Sequence, residues 1–222
     1  MSIPDESIFD CRGMMKNREI YLKALDIDVW LPRQTTFTDF VPLTPWDDLK
    51  KRIENCTKCP LHTTRTQTVF GVGNPEAAIL FIGEAPGANE DNQGEPFVGQ
   101  AGQLLNAMLA SINLKRDDIF ITNILKCRPP NNRDPAPDEV SCCTPYLVEQ
   151  IDLISPKLIV ALGRIAAHFL LNTQTPLSRL RNQMHQYHNI PLIATFHPAY
   201  LLRTPSEKAH AWKDMQRIAQ FL

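Results

Sequence analysis

Cys56 and Cys59 stand in C-T-K-C-P, Cys127 closes the run TNILKC, and Cys143 follows sixteen residues later. A C-x2-C turn aims two sulfurs at one point, and a structural site needs a second pair to close it. This chain supplies one, so four thiolates from separated segments are a donor set for tetrahedral zinc or for an iron–sulfur cluster. Cys142 competes for the fourth place, because neighbours on a helix point about 100° apart and only one of them can face the centre. Cys11 lies far from the others in sequence and is read as a free thiol.

Three further stretches carry polar chemistry. GEAPGANEDNQGEPFVGQAGQLL is rich in glycine, which lets backbone approach a ligand closely. It is neither a dinucleotide fingerprint nor a P-loop, and Glu84, Glu90, Asp91 and Glu95 would repel a phosphate-rich ligand. Those carboxylates suit general-base work or a ligand that becomes cationic. Within the same stretch Phe97 is either a core plug or a platform for a planar ligand. Asn123 ends an apolar run, where an amide needs partners and can read a base-like edge in two contacts. His197, in FHPAYLLR, sits beside Leu201, Leu202 and Arg203: a hydrogen bonder, an apolar wedge and a phosphate-reaching cation in one segment. Arg128 and Arg133, stiffened by Pro129, Pro130 and Pro135, are placed either to meet phosphates or to pair with Asp134 and Asp138.

Four short, β-branched apolar runs position these groups: AAILFIG (77–83), DIFITNIL (118–125), KLIVALG (from 157 on) and PLIATF (191–196). Helical patterns separate them, in GQLLNAMLASINL, around DEVSCCTPYLVEQIDLI and in RIAAHFLL, and SEKAHAWKDMQRIAQFL closes the chain. Continuously apolar strands alternating with helices predict a parallel sheet covered on both faces. The expected fold is therefore three-layer α/β/α with a central four-stranded parallel sheet, plus an N-terminal helical extension. In such sheets ligands bind beyond the carboxyl ends of the strands. Every polar motif named above falls at such an end, which predicts one composite site.

The totals set limits. With 222 residues, 43% of them hydrophobic, the chain suits one α/β domain and an appendage, divided here into 1–44 and 45–222. A net charge of −1 gives no global pull toward nucleic acid, so affinity for DNA must come from a local basic patch. No run is long enough to span a membrane, and the start lacks the layout of a secretory signal. The expected compartment is the cytoplasm, where thiols stay reduced, and the expected state is a monomer.

GEAPGANED, GEPFVGQAGQLL, TNILKCRPPNNRDP, the C-x2-C with Cys127 and Cys143, VALG and HPAYLLR together resemble the bacterial and archaeal family 4 uracil-DNA glycosylases. The resemblance runs from about residue 50 to the end. It implies a monofunctional enzyme that extrudes uracil from DNA and hydrolyses its N-glycosidic bond, starting base-excision repair. It implies a structural [4Fe–4S] cluster on Cys56, Cys59, Cys127 and Cys143. It places Phe97 as a stacking platform, with Asn123 on uracil N3–H and O4 and His197 on O2 of the departing uracil anion. Leu201 or Leu202 fills the gap in the base stack, and Arg203 lies on the backbone. The best-known members of the wider superfamily hold a water-activating Asp where this chain has Ala85. The main chain, Glu84 (also set against the uracil) or Glu90 must then position the water, with Glu90 preferred for the carboxylate role. Rival readings are a uracil-DNA-binding relative that has lost turnover, an enzyme for another damaged base, and a zinc-stabilised interaction protein. The inserted basic loop of relatives that trap uracil-DNA covalently is absent from KCRPPNNRDP.

The resemblance does not reach the first 44 residues. There REIYLKALDIDVWLPR predicts a short helix, and its YLxxLxIxxWxxR pattern is similar to the amino-terminal segment of the psi subunit of the bacterial clamp loader. Docking on replication machinery through residues 17–34 is the expectation it carries.

Overall fold

Alternation along the strands decides the architecture. In the computed structural model, which describes residues 44–222 together with Ala24 and Leu25, Leu80 and Ile82 of one strand join one apolar cluster while Ile79 and Phe81 join another. Ile159 and Ala161 divide from Leu158, Val160 and Leu162 in the same way. Successive side chains on a strand point to opposite faces, so a strand buried throughout must have cover on both. The helices supply it, and the expected three-layer arrangement follows.

The elements run β1 (Val72–Gly73), β2 (Ile79–Gly83), β3 (Phe120–Asn123), β4 (Leu158–Leu162), β5 (His185–Tyr187) and β6 (Ile190–Thr195). They form one sheet in the order β1-β3-β2-β4-β6-β5. The four predicted strands are its parallel centre, in register Phe81 with Ile121 and Val160, and Val160 with Ile193. Two short antiparallel edge strands were not expected: β1 pairs with β3 and β5 with β6. Neither carries an apolar run, since β1 is two residues long and β5 reads His-Gln-Tyr.

One face is covered by α1 (Pro45–Glu54), α4 (Pro137–Ile154) and α5 (Arg164–Leu171), whose Leu49, Ile53, Leu147, Ile151, Ala166 and Leu170 fill the first cluster. The other is covered by α3 (Gln100–Ala110), α7 (Pro198–Arg203) and α8 (Lys208–Ile218), through Leu105, Leu109, Leu201, Met215 and Ile218. Two short helices, α2 (Ala88–Gln93) and α6 (Leu177–Leu180), complete the set. Thr44 starts α1, its hydroxyl accepting from the Asp47 N–H at 3.2 Å, with Pro45 at the first helical position.

Chain order reverses between β2 and β4, since β3 lies on one side of β2 and β4 and β6 on the other. A crevice opens at the carboxyl ends beside such a switch point. Residues 24 and 25 apart, the segment read as a clamp-loader ligand lies outside the described residues. No helix among the described residues is long and apolar enough to cross a membrane.

Candidate active site

Gly83 is the last residue of β2, and its missing side chain is what the site is built around. A Cβ there would lie 2.3 Å from Asn123 Oδ1 and 2.9 Å from the Phe97 ring. The two side chains therefore meet over bare backbone at the end of the central strand. Asn123 ends β3, paired with Gly83, and is 2% exposed. Its Oδ1 is the one buried side-chain polar atom among the described residues with no hydrogen-bond partner. A buried acceptor left unpaired costs about 1–3 kcal/mol, so this oxygen is poised for a donor from outside the chain.

The backbone of Asn123 is held from behind. Lys126, 1% exposed, donates to the Asn123 carbonyl at 2.7 Å, to Thr122 Oγ1 at 2.7 Å and to Gln150 Oε1 at 2.6 Å. Burial pulls this amine down to about 7, against the pull of the neighbouring Cys143 and Cys127 thiols.

Phe97 lies in the loop between α2 and α3 with φ 56°. A non-glycine residue in the left-handed region carries a cost of roughly 1–2 kcal/mol, so its surroundings must impose it. Gly102 of α3 packs directly on the Phe97 carbonyl, where a Cβ would lie only 1.6 Å from the oxygen. The Arg116 guanidinium donates to the carbonyls of Pro96 at 2.6 Å and Phe97 at 3.2 Å. The resulting ring stands 5.5 Å from the His197 imidazole, tilted 33° from it.

His197 follows β6 and caps α7. Its Nδ1 accepts from the Ala199 N–H at 3.2 Å. That contact leaves the proton of the neutral ring on Nε2, which is then a donor. Burial, with the Arg203 charge adding to it and Glu90 opposing, holds His197 down to about 4. The ring is neutral at pH 7.

The two candidate carboxylates have different surroundings. Glu90 spends its oxygens on the loop: Oε2 accepts from the Gly87 N–H at 3.1 Å, and Oε1 from Val98 and Gly99 at 3.0 and 3.2 Å. Glu84, directly after β2, has no such partners, and burial, helped by Asp134 and opposed by Arg164, raises it to about 7. The loop amides thus occupy Glu90, while the Glu84 side chain has no hydrogen-bond partner among the described residues.

The four cysteines of the expected set all lie on the first core cluster. Cys127 and Cys143 are buried in the first core cluster, and Cys56 and Cys59 pack against it. The Arg65 guanidinium donates to Cys127 Sγ at 3.1 Å and the Lys126 N–H to Cys143 Sγ at 3.3 Å. Cys142, one residue along α4, turns its thiol to the Lys58 carbonyl at 3.3 Å. Burial pushes the Cys143 thiol up to about 11, with Lys126 opposing, so a thiolate there needs added positive charge. Among the described residues, no group of three or more His, Cys, Asp or Glu is arranged to hold a metal ion.

The uracil DNA glycosylase superfamily profile matches residues 70–216. A type-4 uracil-DNA glycosylase of Archaeoglobus fulgidus is 48% identical over 182 residues, 78% of this chain and 92% of that protein. Those of Sulfurisphaera tokodaii and Thermotoga maritima are 42% and 41% identical, covering 83% and 93% of their lengths. The chain belongs to the type-4 uracil-DNA glycosylases.

In this type-4 uracil-DNA glycosylase the expected DNA-facing residues divide. Leu201 is 1% exposed and lies in the second core cluster, whereas Leu202 is 41% exposed. α7 turns Leu201 into the core and leaves Leu202 at the surface. Arg203, at the end of α7, is exposed. The half-exposed Arg133 guanidinium forms a two-pronged pair with the buried Glu139, at 2.9 and 2.5 Å, and not with Asp134 or Asp138 side chains. Arg128 donates to Asn132 Oδ1 at 2.8 Å. Arg116 had no signal in the sequence, whereas Gly83 and Gly102 lie in the glycine-rich stretch read as letting backbone approach a ligand closely.

Proposed function

We propose that this chain excises uracil from DNA as a monofunctional glycosylase, with Asn123 reading the base, Phe97 carrying it and His197 stabilising its departure. The unpartnered Asn123 Oδ1 carries this reading. Uracil presents an N3–H donor where cytosine presents an acceptor, so the oxygen gains a hydrogen bond from uracil and faces a lone pair on cytosine. Discrimination follows from leaving a buried polar group unpaired with the wrong base. The amide N–H₂ is left to donate to O4, the second contact on that edge.

The reaction breaks the C1′–N1 bond, and its electron pair leaves with uracil, spread over N1 and O2. A donor at O2 stabilises that anion as it forms, and the neutral His197 has Nε2–H available for it. A neutral imidazole suits this role, because it stabilises the anion without having to give up a proton. The sugar becomes oxocarbenium-like, and water adds at C1′. The Glu84 carboxylate is the group proposed to orient this water and accept its proton, since Glu90 is occupied. Charge on Glu84 also favours the cationic sugar.

Cys56, Cys59, Cys127 and Cys143 are proposed to hold a [4Fe–4S] cluster. Four cysteines on one core cluster, with N–H donors from Arg65 and Lys126 on two of them, suit such a group, which carries negative charge on its sulfurs. When bound it would cross-link α1's end, β3's end and α4, and its role is structural. Leu202 is proposed to enter the base stack and Arg203 to meet the backbone, with Arg128 and Arg133 as weaker candidates. A monomer in the cytoplasm, and docking on the clamp loader through residues 17–34, are proposals resting on the sequence. Failure of a peptide of that stretch to bind purified clamp loader removes the last.

The deciding assay uses an oligonucleotide with one uracil, followed by alkaline cleavage of abasic sites. Cleavage dependent on uracil and lost in Asn123→Ala and His197→Ala supports the reading. No cleavage by folded, iron-loaded protein contradicts it and leaves a binding protein, tested by retention of uracil-DNA.

A further inference from the structure

Phe97 is the one aromatic of the site in a left-handed backbone conformation, at φ 56°, and such a conformation persists only where the surroundings over-determine it. The loop is gripped on both sides of it. Upstream, Arg116 reaches across from the connection between α3 and β3 and takes two consecutive carbonyls, those of Pro96 and Phe97. Downstream, Glu90 takes two consecutive amides, those of Val98 and Gly99. Donor and acceptor jaws thus meet at the residue whose ring faces Asn123 and His197.

The guanidinium is itself fixed. Asn106 of α3 accepts from the same Nη1 at 3.2 Å, and the charges of Glu95 and Asp117 lie close by. Gly102 sits one helical turn before Asn106 and leaves room for the carbonyl that Arg116 holds. A planar guanidinium fork serves adjacent carbonyls and a third acceptor together in one fixed geometry, which a point-charge ammonium does not impose. A surface arginine waiting for phosphate would not be spent in this way.

We propose that Arg116 is a positioning residue for the Phe97 platform: it holds the loop in the conformation that sets the ring against the base, and touches neither base nor DNA. The proposal rests on Phe97 being the stacking surface, so it needs a readout that does not depend on turnover. Full-length, iron-loaded protein carrying 4-fluorophenylalanine at position 97 provides one through its ¹⁹F resonance. Arg116→Ala is expected to shift or broaden that resonance while the thermal transition stays cooperative. An unmoved resonance overturns the proposal whether or not the protein releases uracil.

The second arm is a double-mutant cycle on single-turnover uracil release. Phe97→Ala is expected to slow release roughly 5- to 100-fold, the worth of one base–aromatic stack. Arg116→Ala should fall in the same range, and the double variant should be no slower than Phe97→Ala alone. Multiplying effects would mean that Arg116 acts elsewhere, and would overturn the proposal. Arg116→Lys keeps the charge and loses the fork, and serves also if the alanine variant does not fold. It should remain nearly as slow as Arg116→Ala; full recovery would assign Arg116 to phosphate contact instead. No release by the parent protein would sink the glycosylase reading and leave the fluorine arm to decide this one.

Discussion

The segments that follow β3 and β6 look alike in sequence, each a short run with arginine and proline at a strand's carboxyl end, and they do opposite things. After β3, the cations turn inward: Lys126 onto Thr122, Asn123 and Gln150, Arg128 onto Asn132, and Arg133 onto Glu139. After β6, the segment forms α7 and presents Tyr200, Leu202 and Arg203 outward from the His197 cap. Through Lys126 the first braces Asn123, and the second is the edge proposed to meet DNA. A basic stretch is a candidate for DNA only when no carboxylate of the same chain already occupies it.

That contrast can be broken most forcefully at His197. His197→Ala should lower the single-turnover rate roughly 10²- to 10³-fold, the usual worth of one preorganised donor to a developing oxyanion. The two leucines of α7 test the same edge by opposite readouts. Leu201→Ala should cost about 2–5 kcal/mol of stability, as buried leucines do, with activity per folded molecule kept. Leu202→Ala should leave stability nearly unchanged and slow release from duplex DNA roughly tenfold, less from single strands, because unstacking costs a few kcal/mol that the wedge offsets. A reversed pair of results would mean that α7 is rotated on DNA.

Glu84 titrates where the reaction runs. Its carboxyl is raised to about 7, so the ionised form is lost as pH falls, and the rate should drop below about pH 7. Glu84→Gln should be slow and flat across that range. The same shift makes the folded state hold a proton that the unfolded chain releases, so the group lowers stability as pH rises through about 7. His197 has the opposite sign: held down to about 4, it favours the folded state above its ordinary value and loses that contribution as pH falls. The smallest effect belongs to the brace. Arg133→Ala should lower stability only slightly, as exposed pairs do, and change the salt dependence of DNA binding little. Arg203→Ala should reduce that slope by about one.

The central sheet was legible because each of its strands is an uninterrupted apolar run that only a doubly covered sheet explains. The helix RIAAHFLL was predicted over the residues it occupies, Arg164–Leu171. The edge strands were not legible, since two or three polar residues paired on one side leave no pattern. ANEDNQ and PAYLLR, read as loop, are one-and-a-half-turn helices whose short length hides any period. Within the site, Asn123, Phe97 and His197 could be nominated because each polar or aromatic residue falls at a strand's end or in a glycine-rich loop. Their supports could not. That Arg116 holds carbonyls at 96 and 97, or that Glu139 holds Arg133, depends on packing between segments distant in sequence. The choice between Leu201 and Leu202 likewise turns on which side of a six-residue helix faces the core.

The claim on which the rest depends is that Asn123 Oδ1 waits for the N3–H of uracil, and the most direct measurement changes that hydrogen alone. Single-turnover release would be compared for oligonucleotides carrying deoxyuridine or its N3-methyl derivative, in the parent protein and in Asn123→Ala. The account predicts that N3-methylation slows the parent at least about a hundredfold, and that most of this difference disappears in Asn123→Ala. Equal release of both bases by the parent would contradict it.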